Sequence, residues 1–425
     1  MNHNEEQNFL FKNYLNSHVF SYWNSTCSKN ESPSLNLILQ DNVRCKYCSD
    51  FSNINYPPES SAENSTIIKN CNELMGWIEK NNLHIRHINV ILNDTYDKAF
   101  LEDLLKIVLH RLPESAILTL VIDINSNINK SNLKELIGLA DNYKLNLEFI
   151  IDYNVLFDNA SNELHKVIFN KDNKSNLILP WDKTDIWCKI FDTYIDNICK
   201  YNGLSYRDAL CTARLVNARS VIWNKESLLN LRHFVNYVID RSYDEFSNTA
   251  DFFDFLNKNC ISIINLIHKY DLGTYCDLQN SFSVRLRDLK LLNCSNITRA
   301  GYSACDLMFN KDNDIDCKLE NPYLYMFSHS FNSMSGNKCC DCPINALCNG
   351  YCLGTNFNIN RDFFTPVDTI CNIEYYRVFS VCKSLHSKGI LESYIKHVEN
   401  FHPQIAQQIS WIKDNILNAE DSNEL

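Results

Sequence analysis

No unbroken apolar stretch in the 425 residues approaches the about 18 that a membrane-spanning helix needs. The opening from Met1 to Asn30 has neither the basic start nor the continuous apolar segment of a secretion signal, so the chain is expected to be cytoplasmic, with no membrane partner. Glycine and proline are scarce, with nine of each. There is no glycine-rich phosphate loop and no Gly-x-Ser-x-Gly elbow, which removes the common nucleotide-binding and hydrolase readings. Positive charge is also in deficit. Forty Lys+Arg against 51 Asp+Glu leave a formal charge of -11, so no nucleic-acid partner is expected and any basic groove is local.

What is present is a globular composition, 45% hydrophobic and 21% charged, at a length that fits two to three domains. After a polar N-terminal extension (1–34), strand-like and helix-like patterns alternate. Strands are expected at Leu35 to Leu39, His87 to Leu92, Ile117 to Ile124, Leu145 to Ile151 and Leu177 to Leu179. Helices are expected at Cys71 to Lys80, Lys98 to Arg111, Ser131 to Tyr143 and Asp185 to Tyr201. Such alternation over 35–202 implies parallel strands with right-handed crossovers, hence an α/β domain whose functional loops follow the strands' carboxyl ends. Periodicity alone leaves an open sheet and a full or partial barrel both possible. Residues 203–290 read as a mostly helical connector, with apolar spacing at Leu228 to Val238 and Ile261 to Ile267. Periodicity weakens across 291–385, and a final helical pair near Ile390 to Val398 and Pro403 to Leu417 leads to an acidic tail (386–425).

Nineteen cysteines stand out, because a reducing compartment redirects them from disulfides toward metal ligation. Ten fall after residue 290: Cys294, Cys305, Cys317, Cys339, Cys340, Cys342, Cys348, Cys352, Cys371 and Cys382. Cys339, Cys342, Cys348 and Cys352 form a Cys-x2-Cys-x5-Cys-x3-Cys array with Cys371 following. Thiolates at these spacings can wrap a soft metal centre, and the extra cysteines suggest two centres rather than one. A single zinc ribbon, with its four ligands in two paired knuckles, is the simpler alternative.

At this array the sequence resembles the SPASM module of radical S-adenosylmethionine (radical SAM) enzymes that mature ribosomally made peptides. The resemblance implies auxiliary 4Fe-4S clusters, one or two. The outer would be held by Cys339, Cys342, Cys348 and Cys371, the inner by Cys317, Cys352, Cys294 and Cys305. Asp312 stands where the family has the glycine of Gly-x4-Cys. The same resemblance directs attention to the end of the first strand, where Asp41, Cys45, Tyr47 and Cys48 match a Cys-x3-Cys-x2-Cys cluster motif except for Asp41 in place of the leading cysteine. The carboxylate is a harder ligand than thiolate. After the second strand, where the family carries a Gly-Gly-Glu-Pro turn against the cofactor, this chain has Leu92-Asn93-Asp94-Thr95-Tyr96, with Asp94 as the nearest acid and no glycine to permit close backbone approach.

The resemblance thus implies a partial (β/α)6 barrel, a helical connector and a Cys-rich iron-sulfur module. With its cofactor motif degenerate, the chain is expected to bind a peptide or protein substrate or to pair with an active homologue, leader recognition falling to another surface or a separate leader-binding protein. The alternatives are an active radical SAM enzyme using Asp41, Cys45 and Cys48 to bind a cluster and S-adenosylmethionine, and a zinc-stabilised interaction module. Asn125 to Asn127 and Asp152, at strand ends, are weaker ligand candidates.

Overall fold

The structure, a computed structural model, describes residues 34–39, 63–80, 85–93, 98–113, 115–124, 130–157, 162–217, 223–258, 260–261, 263–264, 266, 281–292, 305–311, 315–319, 339, 341–348, 356, 359–360 and 365–417. It is a mixed α/β protein in which strands pair mostly in parallel. The chain divides into two compact units. One comprises 1–44, 54–149 and 276–331, the other 45–53, 150–275 and 332–425.

The first unit is built on β1 (Ser34–Ile38), β2 (His87–Asn93) and β3 (Ile117–Ile124), parallel neighbours in that order. Helices α1 (Asn64–Lys80), α2 (Lys98–Arg111) and α3 (Lys130–Tyr143) connect and follow them. Each helix buries one stripe. In α1 it is Ile67, Cys71, Leu74, Met75 and Ile78, the spacing of a single apolar face. After α3 comes β4 (Asn146–Asp152), within which the chain passes to the second unit. When the chain returns, β8 (Ser281–Arg285) lies parallel to β1 on the side away from β2. From it β9 (Lys290–Leu292), β10 (Cys305–Phe309) and β11 (Ile315–Leu319) run on as an antiparallel meander.

The second unit holds the short parallel strands β5 (Lys174–Leu179), β6 (Arg214–Asn217) and β7 (Cys260–Ile261). Its helices are α4 (Asn162–Ile168), α5 (Trp187–Asn202), α6 (Tyr206–Thr212), α7 (Lys225–Tyr243), α8 (Thr249–Lys258), α9 (Asn345–Cys348), α10 (Asp368–Ser387), α11 (Leu391–Glu399) and α12 (Pro403–Ile412). Helix α5 ends at Gly203, whose φ of 63° is the left-handed cap that a side chain would strain. Ser205 and Asn224 cap α6 and α7 by accepting from Asp208 N and Ser227 N. The core between these helices is aromatic. Trp187 is fully buried, lies edge-on to Phe234 at 5.5 Å between ring centroids, and donates its indole N–H to Pro180 O at 2.7 Å. A side chain of this kind contributes roughly 1.5–3 kcal/mol by leaving water. Helix α10 packs along α7, and α12 packs on both α9 and α11.

The expected strand-helix alternation agrees with the observed elements to within a few residues at most ends, α1 alone starting a full two turns earlier. Three expectations change. The apolar spacing at Ile261 to Ile267 is not helical where it is described: Cys260–Ile261 is a strand paired with β6, and Ile263–Ile264 is a turn. The connector region also holds β6 and β8. Finally, the long helix α10 occupies part of the stretch 291–385 where periodicity weakens. Its buried side includes Ile370, Ile373, Val378, Val381 and Leu385. Among the described residues no helix is long and apolar enough to cross a membrane.

Candidate functional site

In the first unit, adjacent strands place Ser283, Asn36, Asn89 and Thr119 in register across β8, β1, β2 and β3. Alternation along each strand sets this row on the sheet face opposite the fully buried Leu35, Leu37, Ile88, Val90, Leu118 and Leu120. Asn89 Nδ2 donates to Asn36 Oδ1 at 2.9 Å, and Asn36 Nδ2 donates to Ser283 Oγ at 3.1 Å. One face is therefore hydrocarbon packed by helices and the other carries a hydrogen-bonded polar row. Toward the carboxyl ends, Asp123 in β3 stands opposite Asn93 in β2 and is 8% exposed. It is a single acid in the otherwise apolar run ILTLVIDI, and that interruption is the signal by which the sequence could have flagged it.

The loops expected to hold the cofactor follow these strands. Asp41, Cys45, Cys48 and Asp94 lie outside the described residues, as do Asn125 to Asn127, Cys294 and Cys352. Asp152 is described and acts locally, accepting from Asn154 N and Nδ2 at 2.9 Å, as in a loop-forming turn. Cys305 and Cys317 fall on β10 and β11, where the register sets Cys305 opposite Leu319 and Cys317 opposite Leu307. The two positions are thus diagonal neighbours on one face of the ladder. Both belong to the first unit, whereas Cys339, Cys342, Cys348 and Cys371 belong to the second.

Those last four are described. Tight turns build the first three positions: Cys342 N donates to Cys339 O at 3.2 Å, Asn345 N to Cys342 O at 3.1 Å, and Cys348 N to Ile344 O at 2.8 Å. The one-turn helix α9 that carries Cys348 is pinned to α12 by Ala346 N donating to Gln408 Oε1 at 2.8 Å. Cys371 sits in the first turn of α10, with its N–H on Val367 O. Glu374 and Arg377 follow at successive turns of α10, 8% and 3% exposed, and form a buried ion pair with Arg377 Nε on Glu374 Oε2 at 2.8 Å.

The electrostatics centres on Cys348. Burial pushes the Cys348 thiol well above its usual range, the Glu374 carboxylate pushes it further, the Arg377 guanidinium pulls it back, and Cys371 and Cys342 each add a smaller push. Cys371 and Cys342 thus lie within electrostatic reach of Cys348. Cys382, two turns beyond the pair, is pushed up to about 12 by burial and pulled back by Arg377. Tyr394 is fully buried and donates its hydroxyl to Asn257 Oδ1 at 2.5 Å. Its pKa lies well above the usual value because of burial, with Cys382 raising it further and Arg377 opposing.

No family model matches the sequence. No curated protein matches it either. The site must therefore be judged on its own chemistry. Among the described residues no three His, Cys, Asp or Glu side chains already form a group that could hold a metal ion. The donor set nevertheless suits thiolate ligation of a cationic centre. Cys348, buried and with its pKa raised, stays protonated on its own, and a bound cation would let it ionise without a bare buried charge; Cys339, Cys342 and Cys371 are half-buried. Glu374 and Arg377 were not singled out in the sequence. Their signal was a charged pair three residues apart, one turn after Cys371.

Proposed function

We propose that the chain is an iron-sulfur protein resembling radical SAM/SPASM peptide maturases, in which Cys339, Cys342, Cys348 and Cys371 hold a 4Fe-4S cluster. The observation that carries this reading is the spacing of Cys339, Cys342 and Cys348 with Cys371 following, supported by Cys342 and Cys371 each acting on the buried Cys348 thiol. Four thiolates bound to iron would supply one-electron chemistry or a fixed charged centre at that position. The chain's own residues do the rest. Cys348 is the buried member of the set, the α9–α12 contact holds the Cys-bearing turn, and Arg377 offsets thiolate charge.

The first unit is, on this reading, the counterpart of the family's partial (β/α)6 barrel. Of its polar row, Asn36, Asn89 and Thr119 are half-buried and Ser283 is fully buried, so any contact with peptide amides would fall to the first three. The role is participation in maturation of a ribosomally made peptide, through binding of the peptide or of an active partner. Reductive cleavage of S-adenosylmethionine is expected to be weak or absent, because Asp41 replaces a thiolate and no glycine follows β2.

The test is anaerobic purification and reconstitution, followed by iron and acid-labile sulfide analysis and by assay of 5′-deoxyadenosine under dithionite. Iron with matching sulfide and little 5′-deoxyadenosine is the expected result. Stoichiometric zinc without iron would favour an interaction module held by zinc. Multiple turnovers would make Asp41, Cys45 and Cys48 working ligands.

A further inference from the structure

In the second unit a cavity of about 300 Å³ opens at the amino-terminal ends of β5 and β6. The two strands run parallel, so Lys174 and Arg214, the first residue of each, stand at the same edge of the sheet. Both line the cavity, and Lys171, from the turn between α4 and β5, lines it with them. Arg214 is half-buried and the two lysines are exposed. No aspartate or glutamate lines the cavity. Among the described residues none of these three side chains makes an ion pair, in a chain where 51 acids outnumber 40 bases. Like charges gathered without a counter-charge repel, and a bound anion would relieve that repulsion. Phe169, Ile198 and Leu204 supply the apolar part of the lining, the first two nearly fully buried. The frame is held by hydrogen bonds that leave the cationic groups free. Tyr194, itself buried, donates its hydroxyl to Ser175 O at 2.8 Å and accepts from Arg214 N at 3.3 Å, which ties the two strand entries together. Asn173 N donates to Asn170 O at 2.9 Å and Asn173 Nδ2 to Val167 O at 2.7 Å, which fixes the turn carrying Lys171.

We propose that this cavity binds a small phosphorylated molecule, its phosphate held by Lys171, Lys174 and Arg214 and its apolar body seated on Phe169, Ile198 and Leu204. Charge favours phosphate over carboxylate. A phosphate monoester carries roughly -1.5 to -2 at pH 7 and three acceptor oxygens, enough to engage three cations, where a carboxylate offers a single charge. The guanidinium adds a forked donor and the lysines act as point charges. The volume suits a small ligand. With no glycine-rich phosphate loop in the sequence, recognition falls to side chains instead of backbone amides. The site lies at the end of its strands opposite to the carboxyl ends, where parallel α/β sheets gather their functional loops. It uses none of Cys339, Cys342, Cys348 and Cys371, so the inference stands apart from the iron-sulfur reading. A merely solvated basic patch would attract anions by charge alone and would be indifferent to an apolar body.

The experiment titrates the full chain, at physiological ionic strength, with phenyl phosphate, inorganic phosphate, benzoate and phenol in a calorimeter. Phenyl phosphate should bind at least about tenfold more tightly than inorganic phosphate, because its ring also leaves water. Benzoate should bind more weakly than phenyl phosphate, and phenol should show no binding. Arg214→Gln should weaken phenyl phosphate by about tenfold or more, the loss expected for a charge-assisted hydrogen bond. If Arg214→Gln does not fold, Lys171→Gln/Lys174→Gln, changed at two exposed positions, decides the matter by the same loss. Cys211 lines the cavity and reports the location. Phenyl phosphate should slow its alkylation by iodoacetamide, read peptide by peptide in a mass spectrometer, and leave Cys188 and Cys199, which do not line the cavity, unchanged. No binding of phenyl phosphate, equal affinity for phenyl phosphate and inorganic phosphate, full affinity in the variants, or equal protection of all three thiols would overturn the proposal.

Discussion

Cys71 and Cys348 are both buried thiols, one in each unit, and their surroundings differ in kind. Cys71 lies on the apolar stripe of α1 among Ile67, Leu74 and Met75, with Arg111 as the one charge that acts on it. Cys348 has two further thiols, a carboxylate and a guanidinium acting on it. Burial raises the pKa of both, so a raised thiol pKa by itself identifies no function. A thiol in hydrocarbon behaves as a small apolar side chain, whereas a thiol on which other thiols act is a ligand on the iron-sulfur reading proposed above.

The largest difference should appear on truncation. Cys348→Ala should strip most of the iron from anaerobically loaded protein, a fall of at least about tenfold, since changes even to groups behind metal ligands cost about 10–100-fold. Cys71→Ala should leave iron unchanged and lower stability by about 1 kcal/mol through a small cavity. Iron analysis and urea unfolding of the two variants side by side check both halves.

Breaking the charged pair comes next. In metal-free protein under reducing conditions, Arg377→Met should cost about 3–5 kcal/mol by leaving Glu374 buried and unpaired, while removing both charges together should cost much less. Hydrogen exchange should confine the loss of protection to the second unit. Equal destabilisation by the single and double changes would show that packing, not pairing, matters at this position.

The isolated thiol carries a pH signature. Burial raises Cys71 from 9.0 to about 12, so the folded state holds its proton more tightly than the unfolded state does. The associated stability is fully present below pH 9.0 and is lost as pH climbs toward about 12. Cys71→Val should therefore lose less stability than wild type between these limits, as read by melting temperature against pH.

The smallest effect is expected at Tyr394→Phe. It removes the hydroxyl donated to Asn257 and should cost about 1–2 kcal/mol in the second unit without changing iron content.

The same contrast explains what was legible in the sequence. Strands and helices of the first unit could be read because their buried faces are almost wholly apolar, as in Ile117 to Ile124 or the α1 stripe. The twenty-residue α10 was missed because its buried side mixes Glu374, Arg377, Ser380 and Ser384 with Val378, Val381 and Leu385, which erases the 3.6-residue hydrophobic period. Cysteine spacing drew attention to Cys339, Cys342, Cys348 and Cys371, but no spacing rule could announce the buried Glu374–Arg377 pair that follows Cys371 on α10. The meander of β9, β10 and β11 escaped for another reason. Its strands are three to five residues long, too short for alternation to register.

The central claim is that thiols gathered in the second unit hold an iron-sulfur cluster. Its most direct measurement is the iron and acid-labile sulfide content of wild type and Cys348→Ala, both purified and reconstituted under strict exclusion of oxygen. The account predicts iron and sulfide in equal amounts in the wild type and a severe loss of both in the variant. Zinc in place of iron in the wild type, or full iron retention by Cys348→Ala, would contradict it.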